Sequence, residues 1–270
     1  HIEDARLADH AGAAPSPVEP GTRASAVRVR FEAGRGDGLR IGSGGTATGS
    51  DLTFTGNAGH AIRLTGPGAA VRVTTVAFTS NGGVVIAHPQ SDISLLGAVS
   101  AAGSPILGIE LMGGQITNSV TWRKNPLPIV VRNMIDVTGS ATTLTVDPGV
   151  VVKLRGLDRH IGSGDFTTNT AELVFNGRLL SQGTAAAPVY FTSLFDDSVG
   201  GDTNNDGAAT APGPGNWHRL TMNSASALHE LRHTIVRYGG AQLGGFVNMI
   251  QVGSSTLTVT GGEIASGTAG

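Results

Sequence analysis

From Val27 onward the chain repeats itself about every 23 residues. Five successive segments open on an apolar residue, at Phe31, Phe54, Phe78, Val99 and Trp122, positions that differ by 23, 24, 21 and 23. Each segment passes through small or polar residues to a second apolar stretch: Phe31 to Ile41, Phe54 to Leu64, Phe78 to Ile86, Val99 to Ile109 and Trp122 to Val131. Phe54-Thr55-Gly56-Asn57 and Phe78-Thr79-Ser80-Asn81 set an asparagine at the same point of two consecutive units. A unit this short cannot enclose an apolar core alone, so units of one period must stack on their neighbours and share one.

Leucine-rich repeats and parallel β-helices both have periods near this value, and the residues inside each unit decide between them. A leucine-rich repeat needs a helical return and a regular Leu/Asn ladder. Here the segments are short, β-branched and alternating, as in Val27-Arg28-Val29-Arg30-Phe31, Val71-Arg72-Val73 and Leu257-Thr258-Val259-Thr260. Such segments fit a pleated, half-buried surface. No stretch carries a 3.6-residue apolar period over three turns. The expected fold is therefore all-β, a parallel β-helix running from 26 to 270, whose right hand is implied by the resemblance given below. At roughly 23 residues per coil it makes about ten coils, a rod on the order of 50 Å long. The 41 glycines agree with this, because turns recur at fixed places in every coil. Gly and Asn are expected to supply the positive φ those turns need. Residues 1–25, with Ala13-Ala14-Pro15-Ser16-Pro17 and Pro20-Gly21, read as a linker or irregular lead-in.

Composition removes several function classes. Eighteen Lys+Arg against 20 Asp+Glu give a net charge of −2, which offers nucleic acid or an anionic membrane no electrostatic footprint. The absence of cysteine rules out disulfide scaffolds, thiolate zinc sites and cysteine nucleophiles. No apolar run approaches the roughly 18 residues of a spanning helix, so membrane insertion is not expected. The chain starts at His1 without the charged and apolar regions of a signal peptide, and reads as a piece of a longer polypeptide. Gly261-Gly262-Glu263-Ile264 still looks like a coil in progress. A neighbouring solenoid domain, or a second copy in a fibre, is the expected partner at an uncapped end.

The second half is more specific. It reads Leu144-Thr145-Val146-Asp147-Pro148-Gly149-Val150-Val151-Val152-Lys153, then Gly177-Arg178-Leu179-Leu180-Ser181-Gln182-Gly183-Thr184, then Pro188-Val189-Tyr190-Phe191-Thr192-Ser193. An acidic stretch from Asp196 to Gly207, Gly215-Asn216-Trp217 and Val236-Arg237-Tyr238-Gly239-Gly240 follow. This series, over about residues 144 to 240, resembles the right-handed parallel β-helix repeat modules of large secreted and cell-surface bacterial proteins. The resemblance implies an extracellular or cell-surface parent protein. It implies no particular reaction, since the same fold carries lyases, glycosidases, adhesins and phage spikes.

The acidic stretch lies in a loop insertion, 194–216. Asp202-x-Asn204-x-Asp206-Gly207 matches the first half of a calcium loop, in which oxygens at alternate positions converge and glycine permits the sharp turn. The second half does not match, since the twelfth position is Gly213 where a bidentate Glu belongs. Asp196 and Asp197 are available to supply further carboxylates. The expected metal set is thus Asp196, Asp197, Asp202, Asn204 and Asp206, with calcium as the ion. The competing reading is a solvated loop that spends these side chains on Asx turns.

Other motifs carry less. His229-Glu230-Leu231-Arg232-His233 spells the zinc-peptidase H-E-x-x-H, which needs a helix to bring its histidines to one ion. The residues after it, Thr234-Ile235-Val236-Arg237-Tyr238, read as strand, where the two histidines stand about 13 Å apart. Arg35-Gly36-Asp37 is an integrin-type tripeptide in a glycine-rich turn. His60, His88, His160 and His218 lack ligand spacing, and His1 and His10 fall in the lead-in. A glycan-cleaving enzyme would draw on Asp92, Glu110, Asp136, Asp147 or Asp158. Arg63, Lys124, Arg132 or Lys153 would be its basic partners, and Trp122 or Trp217 its sugar platforms. These residues form no recognisable constellation in sequence. The expected role is a non-catalytic structural or adhesive stalk with a calcium-ordered loop; the alternative is a polysaccharide lyase or glycoside hydrolase on an extracellular glycan.

Overall fold

The computed structural model describes residues 2–3, 6–8, 21–156, 171–224, 227–241 and 248–265. His1, His10, the Ala/Pro-rich run at 13–17, Asp158 and His160 lie outside the described residues. The described residues form strands and no helix, wound into a parallel β-solenoid of about nine turns. That is one fewer than the period implies, because the loop at 194–216 lengthens one turn without adding a strand. By their contacts the residues divide into two units, one mainly before and one mainly after residue 110.

In the first unit, Arg23–Val27 and Arg30–Glu32 both pair in parallel with Thr46–Thr55. That strand pairs with Ala70–Thr79, which in turn pairs with Asp92–Ala102. Two short strands in the lead-in, Ile2–Glu3 and Arg6–Ala8, add to the same sheet. The return side of each turn is Leu39–Ile41, His60–Leu64 and Gly83–Ala87, again in parallel register. Alternation decides what is inside. Phe31, Phe54 and Phe78 face one another across three turns, with ring centroids 4.5 and 5.6 Å apart, and all are buried. The fourth member of this column is Ala101, not Val99. The register shifts between Leu96 and Val99, and an irregularity of that kind is invisible to a simple count of spacing.

The asparagines do not play the part expected of them. Asn57 and Asn81 are absent from the residues with positive φ; both are buried and form a side-chain ladder. Asn57 Nδ2 donates to Phe31 O (3.1 Å) and to Asn81 Oδ1 (2.8 Å). Asn57 Oδ1 accepts the Gly34 N–H (3.0 Å). Asn81 Nδ2 donates to Phe54 O, and the Asn81 N–H finds Ser104 Oγ. A corner that must be buried leaves main-chain groups without strand partners, and a stacked amide satisfies them. Positive φ recurs instead at Ala33, Gly56, Ser80 and Gly103, and again at Arg28, Asp51, Thr75 and Gly97, one residue per turn in each series.

In the second unit, one sheet stacks Gly114–Ile116, Ile135–Val137, Leu173–Phe175, Leu220–Met222 and Ile250–Val252 in parallel. Another stacks Val120–Trp122, Thr143–Val146 and Arg178–Gln182. Ile129–Val131, Val151–Leu154 and Val189–Ser193 form the third side. The ten-residue strand Leu228–Arg237 joins the last two series, pairing with Arg178–Gln182 through Glu230–Arg232 and with Val189–Ser193 through Thr234–Val236. His233, at φ 39°, makes the bend between them. Thr256–Ala265 then pairs along the whole of that strand. Interior columns such as Val152, Phe191 and Val236 are completely buried, as expected of parallel sheets covered on their inner face.

Candidate functional site

The acidic loop leaves the strand Val189–Ser193 and returns at Leu220–Met222. Asp197, Asp202 and Asp206 each bring one carboxylate oxygen within 4.8 Å of the others. Asx turns shape this convergence. Asp202 Oδ1 accepts the Asp206 N–H (3.1 Å) and Oδ2 the Gly207 N–H (2.8 Å), while Thr210 Oγ1 donates to Asp206 Oδ2 (2.6 Å). Gly207, at φ 72°, makes the sharp turn expected of it. Asp197 Oδ1 is buried without a hydrogen-bond partner. Burial raises the pKa of Asp197, and the charges of Asp202, Asp206 and Asp196 add to this against the opposing Lys153. Three hard oxygen donors, one of them unsatisfied, form a set of the kind a calcium ion takes.

Asp196 is turned elsewhere. Its Oδ2 accepts from Thr192 Oγ1 (2.5 Å) and Arg237 Nε (2.9 Å), its Oδ1 from Ser198 Oγ (2.6 Å). Only 1 % of its side chain is exposed. Burial opposes its charge, yet hydrogen bonds from Ser198, Thr192 and Arg237 together hold the carboxyl below the ordinary value. Arg237 also lies over the rings of Tyr190 and Tyr238, 5.5 and 5.4 Å from their centroids. Asp196 therefore anchors the start of the loop to the long strand. Asn204 groups by its contacts with the first unit, and its Oδ1 is buried.

Lys153 is the loop's other anchor. It is wholly buried, and its Nζ donates to Gly201 O at 2.7 Å. Gly200 and Gly201 both adopt positive φ, and a Cβ on Gly200 would stand 2.7 Å from Pro128 Cγ. The glycine pair thus lets the chain pass close enough to present that carbonyl. Burial brings the Lys153 pKa down to about 8, against the stabilising charges of Asp197, Asp196 and Asp202. A lysine so enclosed cannot reach a glycan, which removes it as the basic partner of an enzyme.

Four of the other residues available for catalysis, Asp92, Asp136, Arg63 and Glu110, are tied into the scaffold. Asp92 pairs with Arg72 (2.7 Å) and Asp136 accepts from Asn176 Nδ2 (2.8 Å). Arg63 is held by Asp37, and Glu110 meets His60 Nε2 at 3.0 Å. The imidazole of His60 lies over Gly83, where a Cβ would come within 2.3 Å of the ring. Asp37, the acid of the Arg-Gly-Asp tripeptide, also accepts the His60 N–H (2.9 Å), so its carboxylate serves the fold. Trp122 and Trp217 are buried, the latter donating Nε1–H to Arg237 O (2.9 Å). Neither is a platform for a sugar.

His229 and His233 lie on one strand, which rules out the helical zinc site. His229 is fully buried: Nδ1 accepts the Leu179 N–H (3.1 Å), Nε2 has no hydrogen-bond partner, and the ring meets the edge of Phe175. Burial lowers its pKa, assisted by Arg178. His218 meets Glu172 at 3.0 Å, and Thr221 Oγ1 and Arg219 Nε reach the same carboxylate. Although burial opposes its charge, these contacts bring Glu172 down to about 2. The residues in these pairs stand 46 to 50 positions apart, so no local motif announces them. Comparison with known protein families, curated proteins and solved structures finds no match for this chain.

Proposed function

We propose that the chain is a non-catalytic β-solenoid module, a structural or adhesive stalk of an extracellular or cell-surface bacterial protein. The observation that carries this reading is a parallel β-solenoid in which the candidate catalytic side chains Asp92, Glu110, Asp136, Arg63 and Lys153 are each engaged by the scaffold. A neighbouring solenoid domain or a second copy of the chain is the partner proposed for it. Val259 and Ile264, exposed apolar residues of Thr256–Ala265, would meet that partner. Sedimentation of the 270-residue chain over a wide concentration range tests it. Self-association abolished by Val259→Asp with Ile264→Asp supports stacking between copies, whereas a monomer at every concentration, indifferent to these changes, sinks it.

In the same proposal calcium orders the acidic loop. Asp197, Asp202 and Asp206 would hold the ion, which supplies charge neutralisation and no chemistry. Asp196 stays with Arg237. The nearby Lys153 ammonium offsets part of the cluster's charge, which favours the weak affinity of extracellular calcium modules, Kd on the order of 10⁻⁴ to 10⁻³ M. Saturating calcium should raise the melting temperature by several degrees. Identical melting with calcium and with chelator, together with no calcium by elemental analysis, would remove the ion from the account.

A further inference from the structure

The chain contains two Asn-Gly steps, Asn81-Gly82 and Asn176-Gly177, and both fall at corners between strands. Such a step is chemically labile, because glycine has no side chain to keep its backbone nitrogen away from the asparagine amide. The nitrogen attacks Cγ, the bond from Cγ to the amide nitrogen breaks, and ammonia leaves a five-membered imide. Water then opens the ring at one carbonyl or the other, giving aspartate or isoaspartate.

Stacking of the turns requires the glycines. A Cβ on Gly82 would stand 2.2 Å from Ala58 O, and one on Gly177 2.4 Å from Thr142 O. Stacking also holds the reacting groups apart. Gly82 is exposed, but its N–H donates to Asn57 O at 2.9 Å. Asn81 is 3 % exposed. Its Oδ1 accepts the Asn57 N–H (3.1 Å) and Asn57 Nδ2 (2.8 Å), and its Nδ2 donates to Phe54 O (3.0 Å). Turning Cγ toward the Gly82 nitrogen breaks these bonds. The second step is held more lightly: Asn176 is half-buried, its Nδ2 donates to Asp136 Oδ1 (2.8 Å), and the Gly177 N–H donates to Val137 O (2.8 Å).

We propose that Asn81 is a modification site open only in the unfolded chain, where it deamidates, and that the product cannot rebuild the corner. An aspartate at this position has no N–H for Phe54 O and puts a negative charge into a buried amide ladder. An isoaspartate adds a methylene to the backbone, which shifts the chain against the turn before it. Time spent unfolded is thereby recorded covalently, and unfolding becomes irreversible at the rate of this reaction. Asn176 reacts in the unfolded chain too, but its product faces Asp136 at a half-buried corner, where like charges are partly screened.

Incubation of the 270-residue chain at pH 8, folded and in guanidinium chloride, tests the proposal, with peptide mass mapping and the yield of refolding on dilution as readouts. Both asparagines should convert in denaturant. In the folded chain Asn81 should convert at least roughly a hundredfold more slowly, since it reacts only from an opened state. The refolded fraction should fall in step with conversion of Asn81. These readouts need no variant. Asn81→Asp, the product made directly, should melt well below wild type. Asn81→Ser removes the reaction while keeping an acceptor for the Asn57 N–H, as Ser104 Oγ is for the Asn81 N–H, and its refolding yield should stay constant. Equal conversion of Asn81 folded and unfolded, full refolding of the converted chain, or an Asn81→Ser protein that loses yield as fast as wild type would overturn the proposal.

Discussion

Acid should loosen the second unit through a single histidine. His229 is fully enclosed, and its Nδ1 accepts the Leu179 N–H, so the folded chain holds the imidazole neutral. Burial first, and then the Arg178 charge, depress its pKa below the ordinary 6.5. The unfolded chain therefore binds the proton more readily than the folded one below that pH. Stability from this group is complete above pH 6.5 and is lost as the pH falls toward the folded value. For one proton the steepest loss is about 1.4 kcal/mol per pH unit. In a chain of this size that corresponds to roughly 3–6 °C of melting temperature per unit.

His229→Asn isolates the effect, because an amide oxygen at this position retains an acceptor for Leu179, as Asn57 Oδ1 does for Gly34, but does not titrate. Calorimetric melts from pH 7.5 to 5 should show wild type falling faster than the variant, with the difference opening only below pH 6.5. The other histidines are common to both proteins and cancel in the difference. Parallel curves would refute the reasoning and place the acid sensitivity elsewhere.

Phe54→Ala empties the centre of a three-ring stack and should cost about 3–5 kcal/mol in urea unfolding; a loss below about 1 kcal/mol would mean that the columns are not tightly packed. Glu172→Gln should flatten the acid limb of the stability profile, because a carboxyl held at about 2 contributes stability above its ordinary value and loses it as pH falls between the two. That contribution is on the order of 3 kcal/mol, and an unchanged limb would discount the pair with His218. Lys153→Met should speed amide exchange around Gly201 while leaving Val189–Ser193 protected, with uniform protection as the contrary result.

Periodicity made the solenoid legible before any coordinates, because a coil must present an apolar residue at the same angle in each turn and the spacing records it. Phe31, Phe54 and Phe78 were readable for that reason, and so was the convergence of Asp197 with Asp202 and Asp206, which a short local loop can dictate. The chemistry of Asn57 and Asn81 was not. Their spacing marked a repeated corner, but whether an asparagine serves a corner through its φ or its amide depends on burial, which belongs to the stack.

What only the tertiary structure decided is which side chains become neighbours between turns. Lys153 meets Gly201 across 48 residues and His60 meets Glu110 across 50, separations at which one irregularity such as that between Leu96 and Val99 changes every later pairing. The same separation hid the role of Asp196, a ligand by its place in the text and an anchor by its distance from Arg237. Local spacing sets which residues can face inward, since side-chain direction follows the backbone's own period; contacts between turns depend on register, and register is a property of the assembled sheets.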